Sequence, residues 1–366
     1  MLANRKMASR IGLIILAFIL LITPLLVIAC APSSTSTGPG AAKPSSDVIE
    51  LKLACYDPTP AYGNKGVMIP WAKSIEEATD GRVKITLYSG GSLGKAPDHY
   101  EMVVSGVCDM SKFMPEMTPG LFPVCEATQL PGLFPNAETL AYVFHQIVEK
   151  YALDTELKDV KYLFMQALPP MMPQSTKQLK KAEDWKGLKY LVEGKVDGWV
   201  MEALGASPVP LPMSEVYTAL STGLIDAVNI TWEGVFPFKI NEVTQYRVDI
   251  PLYCKSHIVA MNMDTWNSLP EDIQDIFEKH CAPEISAQYA ADFDNTAQTV
   301  LTTTLADYDK KMGNPGVYEM PQAEQDRIFN EVLSPIYDRW INEMEGKIPA
   351  KAIIDDIKKL SQEYSK

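Results

Sequence analysis

Polar and aromatic residues that end short apolar runs are the parts of this sequence that could do chemistry. Tyr56 and Asp57 close the run that starts at Ile49, and Phe113 and Met114 follow a second short run. Tyr190 and Leu191 lie in a third, Met213 follows a fourth, and Asn229-Ile230-Thr231-Trp232-Glu233 ends a fifth. If the runs are strands, their carboxyl ends are where α/β sheets form small-molecule pockets. Trp232 suits stacking on a flat molecule, and Glu233 suits accepting from a hydroxyl or an amine. Each side chain equally suits core packing or a contact between lobes, and Phe113 and Met213 suit packing best. Glu233 buried without a partner would be costly, so it must meet a cation or a donor, or stay exposed.

Catalytic and nucleotide-binding patterns are missing. Gly90–Lys95 evokes a phosphate loop, but the required earlier glycine is Ser89 and the required hydroxyl is Ala96. The four histidines, His99, His145, His257 and His280, have no partners at metal-ligand spacing, and three of them read as surface or capping residues. There is no G-x-S-x-G elbow, no dinucleotide fingerprint and no thiol–histidine arrangement. Acidic pairs such as Glu76-Glu77 and Asp355-Asp356 read as solvated helix faces. The expectation is a protein without catalysis, cofactor or metal.

The elements that position these residues alternate between strand and helix. From Gly187 to Glu233 the pattern predicts a strand at 189–192, a helix at 196–204 stopped by Gly205, and a strand at 209–211. A helix capped by Ser214 then runs through Leu220, and Thr222-Gly223 breaks it before a strand at 224–230. Such alternation implies a parallel sheet. An earlier βαβαβ order is read from strands at 49–56, 83–88 and 106–111, with a helix at 67–78 and a second one that follows Ser89–Pro97 and runs through Val104. Residues 121–135, rich in Pro and Phe, read as an irregular surface passage, followed by a helix at 137–151 and a strand at 160–166. Pro169-Pro170 marks a first crossing between lobes, and a strand returns near 257–261. Ser268-Leu269-Pro270-Glu271 reads as a helix start with a hydroxyl cap, and the helical pattern persists to about Asp309 with a break at Pro283. About 35 residues at 1.5 Å each would span near 50 Å, enough to bridge two lobes. Helices at 322–345 and 350–364 end the chain.

Composition allows two lobes: 366 residues, 46% hydrophobic, with a formal net charge of -13. Beyond the leader no basic run exceeds two residues, which argues against a nucleic-acid partner. Met1–Arg10 is a basic region and 11–28 is an apolar run that ends in Val27-Ile28-Ala29-Cys30. A small residue directly before cysteine resembles the bacterial lipobox, in which the leader is cleaved and Cys30 carries lipid; an uncleaved signal anchor is the alternative. The Ser/Thr/Gly/Pro/Ala-rich stretch 31–46 suits a flexible tether. Five cysteines remain: Cys55, Cys108, Cys125, Cys254 and Cys281. An odd number leaves at least one free, and Cys55, Cys108 and Cys254 read as buried small hydrophobes, with disulfide pairing left open.

A family resemblance rests on Gly81–Val83, the Gly-x-Leu-Gly turn at Gly91–Gly94, Gly187-Leu188-Lys189 and Ala203–Ala206. It continues through Pro210-x-Pro212-x-Ser214-Glu215-x-Tyr217-x-Ala219-Leu220, Thr222-Gly223-x-x-Asp226 and Trp266-x-Ser268-Leu269-Pro270. In this order, over about 48–308, the chain resembles the solute-binding proteins of TRAP transporters, of the C4-dicarboxylate-receptor type. The resemblance implies an α/β, two-lobed, periplasmic-binding-protein-like fold with a long bridging helix, closing over a small organic solute that it delivers to a TRAP membrane permease. The expected organisation is a leader at 1–29, a lipidated cysteine and tether at 30–47, a first lobe at 48–168 with a return at about 229–258, a second lobe at 169–228 with about 259–310, and C-terminal helices at 311–366. The expected location is extracytoplasmic, lipid-anchored to the outer face of the cytoplasmic membrane. A sensory lipoprotein signalling to a membrane partner is the alternative reading.

Departures from the family pattern bear on the solute. The family's usual carboxylate anchor, an arginine two residues after Gly-Leu-Lys, is here Leu191, and a second common arginine gives way to 169–172. Met213 stands where an aromatic is frequent. Either another cation substitutes, with Lys177, Lys189, Lys195 and Arg247 as candidates, or the solute is aromatic or otherwise not a simple dicarboxylate.

Overall fold

The computed structural model describes residues 48–365, so the leader, Cys30 and the tether lie outside the described residues. Eleven strands form two sheets. β1 (Ile49–Ala54), β2 (Val83–Tyr88), β3 (Met110–Phe113), β4 (Val160–Ala167) and β10 (Ser256–Asn262) make the first, in the order β2-β1-β3-β10-β4. β5 (Met172–Ser175), β6 (Lys189–Val192), β7 (Ser207–Pro210), β8 (Ala227–Ile230), β9 (Tyr246–Asp249) and β11 (Val317–Glu319) make the second, in the order β11-β9-β5-β8-β6-β7. The two-sheet α/β architecture matches the expectation. The sheets are mixed rather than parallel: β10 runs antiparallel to β3 and β4, and β5 antiparallel to β8 and β9. Both follow a crossing from the other sheet, although β11, which also follows one, runs parallel to β9.

Crossings fall at 168–171, where Pro169-Pro170 lies, between β9 and β10, and again between β10 and β11 through the long helical run. The second differs from expectation. β8 and β9 stay in the second sheet and the chain returns to the first at Ser256, so residues 229–255 belong with the second sheet and β10 with the first. The strand itself lies where predicted; its sheet differs, because a short apolar run does not say which sheet it joins.

Helices cover the sheets. The helix Ala137–Tyr151 is capped by Asn136, whose side chain accepts from the N–H of Thr139, and it buries Leu140, Phe144 and Ile147. Gly205, at φ +80°, stops the helix Lys195–Ala203 as predicted, and the Ala206 N–H reaches back to the Met201 carbonyl. Two predicted caps are not made. Neither Ser214 nor Ser268 caps a helix: the helix Val216–Ser221 follows a 3-10 turn at Met213–Glu215, and the Ser268 hydroxyl bonds back to Thr265. Residues 121–135 prove to be core rather than surface, with Phe122, Cys125 and Leu130 fully buried.

The bridging element is present with one break. After Glu271–His280, a helical run extends from Pro283 through a π segment at Val300–Leu305 to Met312. Its first part packs on the helix Ala137–Tyr151 and on β4, and its middle on the turn Trp232–Val235 of the other lobe. At 1.5 Å per residue the run spans about 45 Å. Among the described residues no helix is long and apolar enough to cross a membrane. All five described cysteines are free and buried.

Candidate functional site

The carboxyl ends of β1, β6, β7 and β8 converge between the two sheets, where the turns after them enclose a chamber. Its volume is about 60 Å³, and Tyr56, Glu193, Met213 and Phe238 line both it and a wider cleft of about 750 Å³ outside. The wider space matches ordinary ligand pockets of roughly 300–1,000 Å³, while the chamber holds only an end group.

Of the residues singled out by sequence, Tyr56, Asp57, Met213, Asn229, Ile230, Thr231 and Glu233 line the chamber. Five do not, buried Met114 among them. Phe113 is buried against Tyr100 and Phe122, with ring centroids 5.3 Å from each. Leu191 and Trp232 are buried in the core of the second lobe beside Val228, Val235 and Leu305. Trp232 is therefore not a stacking platform, because the turn at 232–235 aims its ring into that core. Tyr190 is also buried and acts one step removed, its hydroxyl donating to Asn229 Oδ1 at 2.5 Å while Asn229 Nδ2 donates to the Tyr253 hydroxyl at 3.2 Å.

None of the four cations proposed to replace the arginine lines either space. Lys177 pairs with Asp226 at 3.1 Å, and Lys195 with Glu343 at 2.8 Å. The Lys189 ammonium bonds the Gly223 carbonyl, and buried Arg247 pairs with Asp309 at 2.8 Å.

Two other lysines, missed by sequence, build the site. Lys112, fully buried on β3, bonds Asp57 and also Gln166 Oε1 at 2.9 Å. Burial opposes its charge, but the neighbouring Asp57 and Cys55 hold its pKa above the ordinary value. This cluster is tight: a Cβ on Gly63 would lie 2.6 Å from Asp57 Oδ2 and 2.7 Å from Gln166 Nε2, so the glycine lets the chain pass over it. Lys255, just before β10, meets three carboxylates: Glu116 at 3.1 Å, Glu193 at 3.1 Å and Asp197 at 3.2 Å. Glu116 belongs to the first lobe and the other two follow β6 in the second, so one ammonium ties both lobes. Burial works against the Lys255 charge, yet the three acids push its pKa well above the ordinary value. Burial raises Glu193, whereas Asp197 is held low despite burial by Lys255 and the N–H of Glu193.

The histidines also differ from expectation. His99, His145 and His257 are buried; His99 opens the helix His99–Val104, and His280 ends the helix Glu271–His280, 3.0 Å from the Ser74 hydroxyl. His257 lines the chamber with Nε2 3.0 Å from the Tyr56 hydroxyl. Burial, helped by Lys112 and Lys255, pushes its pKa well below the ordinary value, so it is neutral at physiological pH.

Glu233 is half-buried at the chamber wall, and its Oε2 has neither a hydrogen-bond partner nor solvent contact. Burial raises its pKa to about 7, against a lowering influence of the Thr231 hydroxyl. A carboxyl whose folded pKa lies above its unfolded one contributes stability at low pH that is lost as pH rises through about 7. Glu233→Gln should therefore gain melting temperature relative to the parent at pH 8 and match it at pH 5; thermal melts at both values check this.

A third space, about 360 Å³, lies on the first lobe between His145, Tyr162, Glu278 and Cys281, and shares no lining residue with the chamber. Among the described residues, no group of three or more potential metal ligands occurs.

Residues 63–343 match the family model for bacterial extracellular solute-binding proteins, family 7. The chain is 28% identical over 285 residues to a C4-dicarboxylate-binding periplasmic protein of Rhodobacter capsulatus, covering 76% of this chain and 81% of that one. Among solved structures it superposes, with a TM-score of 0.82 and 24% identity, on a TRAP solute-binding protein of Rhodoferax ferrireducens in complex with copurified benzoate, covering 87% of this chain and 99% of that one. A marine metagenome TRAP solute-binding protein specific for aromatic acid ligands, in complex with 3-hydroxybenzoate, gives 0.81 and 25% over the same shares.

Proposed function

The chain belongs to the bacterial extracellular solute-binding proteins of family 7 and is a non-enzymatic, extracytoplasmic TRAP-type receptor for a small organic solute; from that premise we propose where it binds and how it is held at the membrane. The solute enters the cleft between the sheets and places one end in the chamber lined by Tyr56, Asp57, Met213, Asn229 and Glu233, with Gln166, Lys255 and His257 completing the wall. The lobes then close because the solute touches both, which favours the closed state by differential affinity, and the closed form docks on the permease. Cys30 anchors the receptor by lipid to the outer face of the cytoplasmic membrane, and residues 31–46 tether it.

The observation that carries the reading is the absence of any arginine from the lining of both spaces, together with a Lys255 already engaged by three carboxylates. Among the described residues the one lysine that lines the chamber is thus taken, and Lys95 and Lys239 line only the wider cleft. The apolar lining, with Phe238, Phe293 and Met171, suits a solute with a compact apolar or aromatic body, in keeping with the aromatic ligands of the two similar structures. A true solute at 100 times its Kd should stabilise the fold by about 2.7 kcal/mol, a shift of several degrees. Succinate and malate should give no shift. Micromolar binding of either would overturn the reading of the site, and a broad solute screen without any shift would overturn binding in the cleft.

A further inference from the structure

The charge around the chamber is unbalanced. Two lysines, Lys112 and Lys255, face five carboxylates: Asp57, Glu116, Glu193, Asp197 and Glu233. Lys112 is matched by Asp57, and Lys255 is outnumbered by its three partners. That leaves Glu233, whose Oε2 is shut off from solvent and accepts no hydrogen bond. His257 adds no positive charge, because the two lysines and its burial keep it neutral. The remaining wall includes the rings of Tyr56, Phe238 and Phe293, whose electron-rich faces attract cations rather than anions. A carboxylate placed here would be desolvated against a surplus of like charge, a strongly unfavourable arrangement.

We infer that the solute presents a protonated amine to this chamber, with Glu233 Oε2 as its principal acceptor, an inference that rests on the receptor reading above. The ammonium fills the hydrogen-bonding vacancy at Glu233 and brings the wall closer to neutrality. The small chamber takes this end group, while the apolar body lies toward Met213 and Phe238 in the wider cleft. The other ionisable groups lining the chamber are Tyr56 and Asp57 after β1, Glu193 after β6, and Lys255 and His257 on the return to the first sheet. Of these, Tyr56 and His257 are held uncharged near neutral pH and Lys255 is held charged; burial raises Glu193 as well as Glu233, but Glu193 is paired with Lys255, whereas Glu233 Oε2 has no partner.

The test is calorimetric titration with matched amines, alcohols and carboxylates on the same bodies, including benzylamine, benzyl alcohol and benzoate and their butyl counterparts, at pH 6, 7 and 8. At least one amine should bind at least tenfold tighter than its matched alcohol and carboxylate. Its affinity should rise about tenfold from pH 6 to pH 8 as Glu233 ionises. Glu233→Gln, with its fold checked by circular dichroism, should weaken amine binding at pH 8 about tenfold or more and flatten the pH profile. Preferred binding of a carboxylate, strengthening toward pH 6 where a protonated Glu233 could donate to it, would overturn the amine assignment and leave the receptor reading standing. Preferred binding of an alcohol would do the same. No binding by any member of the set would count against both.

Discussion

Lys255→Met is expected to destabilise the protein by about 3–5 kcal/mol, the range seen when one partner of a buried ion cluster is removed. The ammonium lies within 3.2 Å of three carboxylates whose side chains are at most 7% exposed, and no second cation replaces it there. Without it, Glu116, Glu193 and Asp197 must ionise against one another in a buried space or take up protons. The loss also reaches beyond one lobe, since Glu116 follows β3 while Glu193 and Asp197 follow β6. A urea titration should show the midpoint falling, with the largest loss at pH 8 and partial recovery toward pH 5 as the carboxyls protonate. Adding Glu193→Gln and Asp197→Asn to Lys255→Met should restore much of the stability, because the problem is uncompensated charge rather than lost volume. A loss below about 1 kcal/mol would mean that the three acids are paired or hydrated otherwise, and the charge balance argued for the chamber would fail with it.

The second large effect concerns location. Cys30→Ser should move the protein from the membrane fraction to the soluble extracytoplasmic fraction. On the proposed lipid anchor, each buried methylene of an acyl chain would contribute about 0.8 kcal/mol, so lipid would dominate the membrane affinity of an acidic chain. The soluble variant should retain solute binding with unchanged Kd, since the described fold begins at Val48 and the chamber draws on nothing before Tyr56. Fractionation with detection by antibody reads the result. Retention of Cys30→Ser in the membrane fraction would favour an uncleaved anchor.

Sequence reasoning reached the class of the protein and a minority of the residues that line the chamber. Lys189–Val192 is a strand with the predicted bounds because its apolar run is short and flanked by Gly187 and a helix start. Tyr56, Asp57, Asn229 and Glu233 were legible because strand ends point at the pocket in this topology. Lys112 and Lys255 were not. Every residue of β3 and β10 is buried, so no polar–apolar alternation says which way a side chain faces. A lysine inside an apolar run, as in Leu252–Ile258, was the available signal, since burial of such a residue demands acidic partners. Those partners are far apart in sequence, and only the fold brings Glu116 to Lys255. Phe113 and Trp232 failed for a related reason: proximity to a strand end does not decide whether a ring turns inward to the core. β5, β9 and β11 are four residues or fewer, too short for a periodic pattern.

Hydrogen exchange measured by mass spectrometry, with and without a solute that raises the melting temperature, tests binding between the lobes most directly. Protection on binding should concentrate in residues 56–63, 166–171, 229–238 and 255–257, the segments that line the chamber from both sheets. Protection confined to 145–163 and 278–283 would place the solute in the separate space on the first lobe and contradict the account.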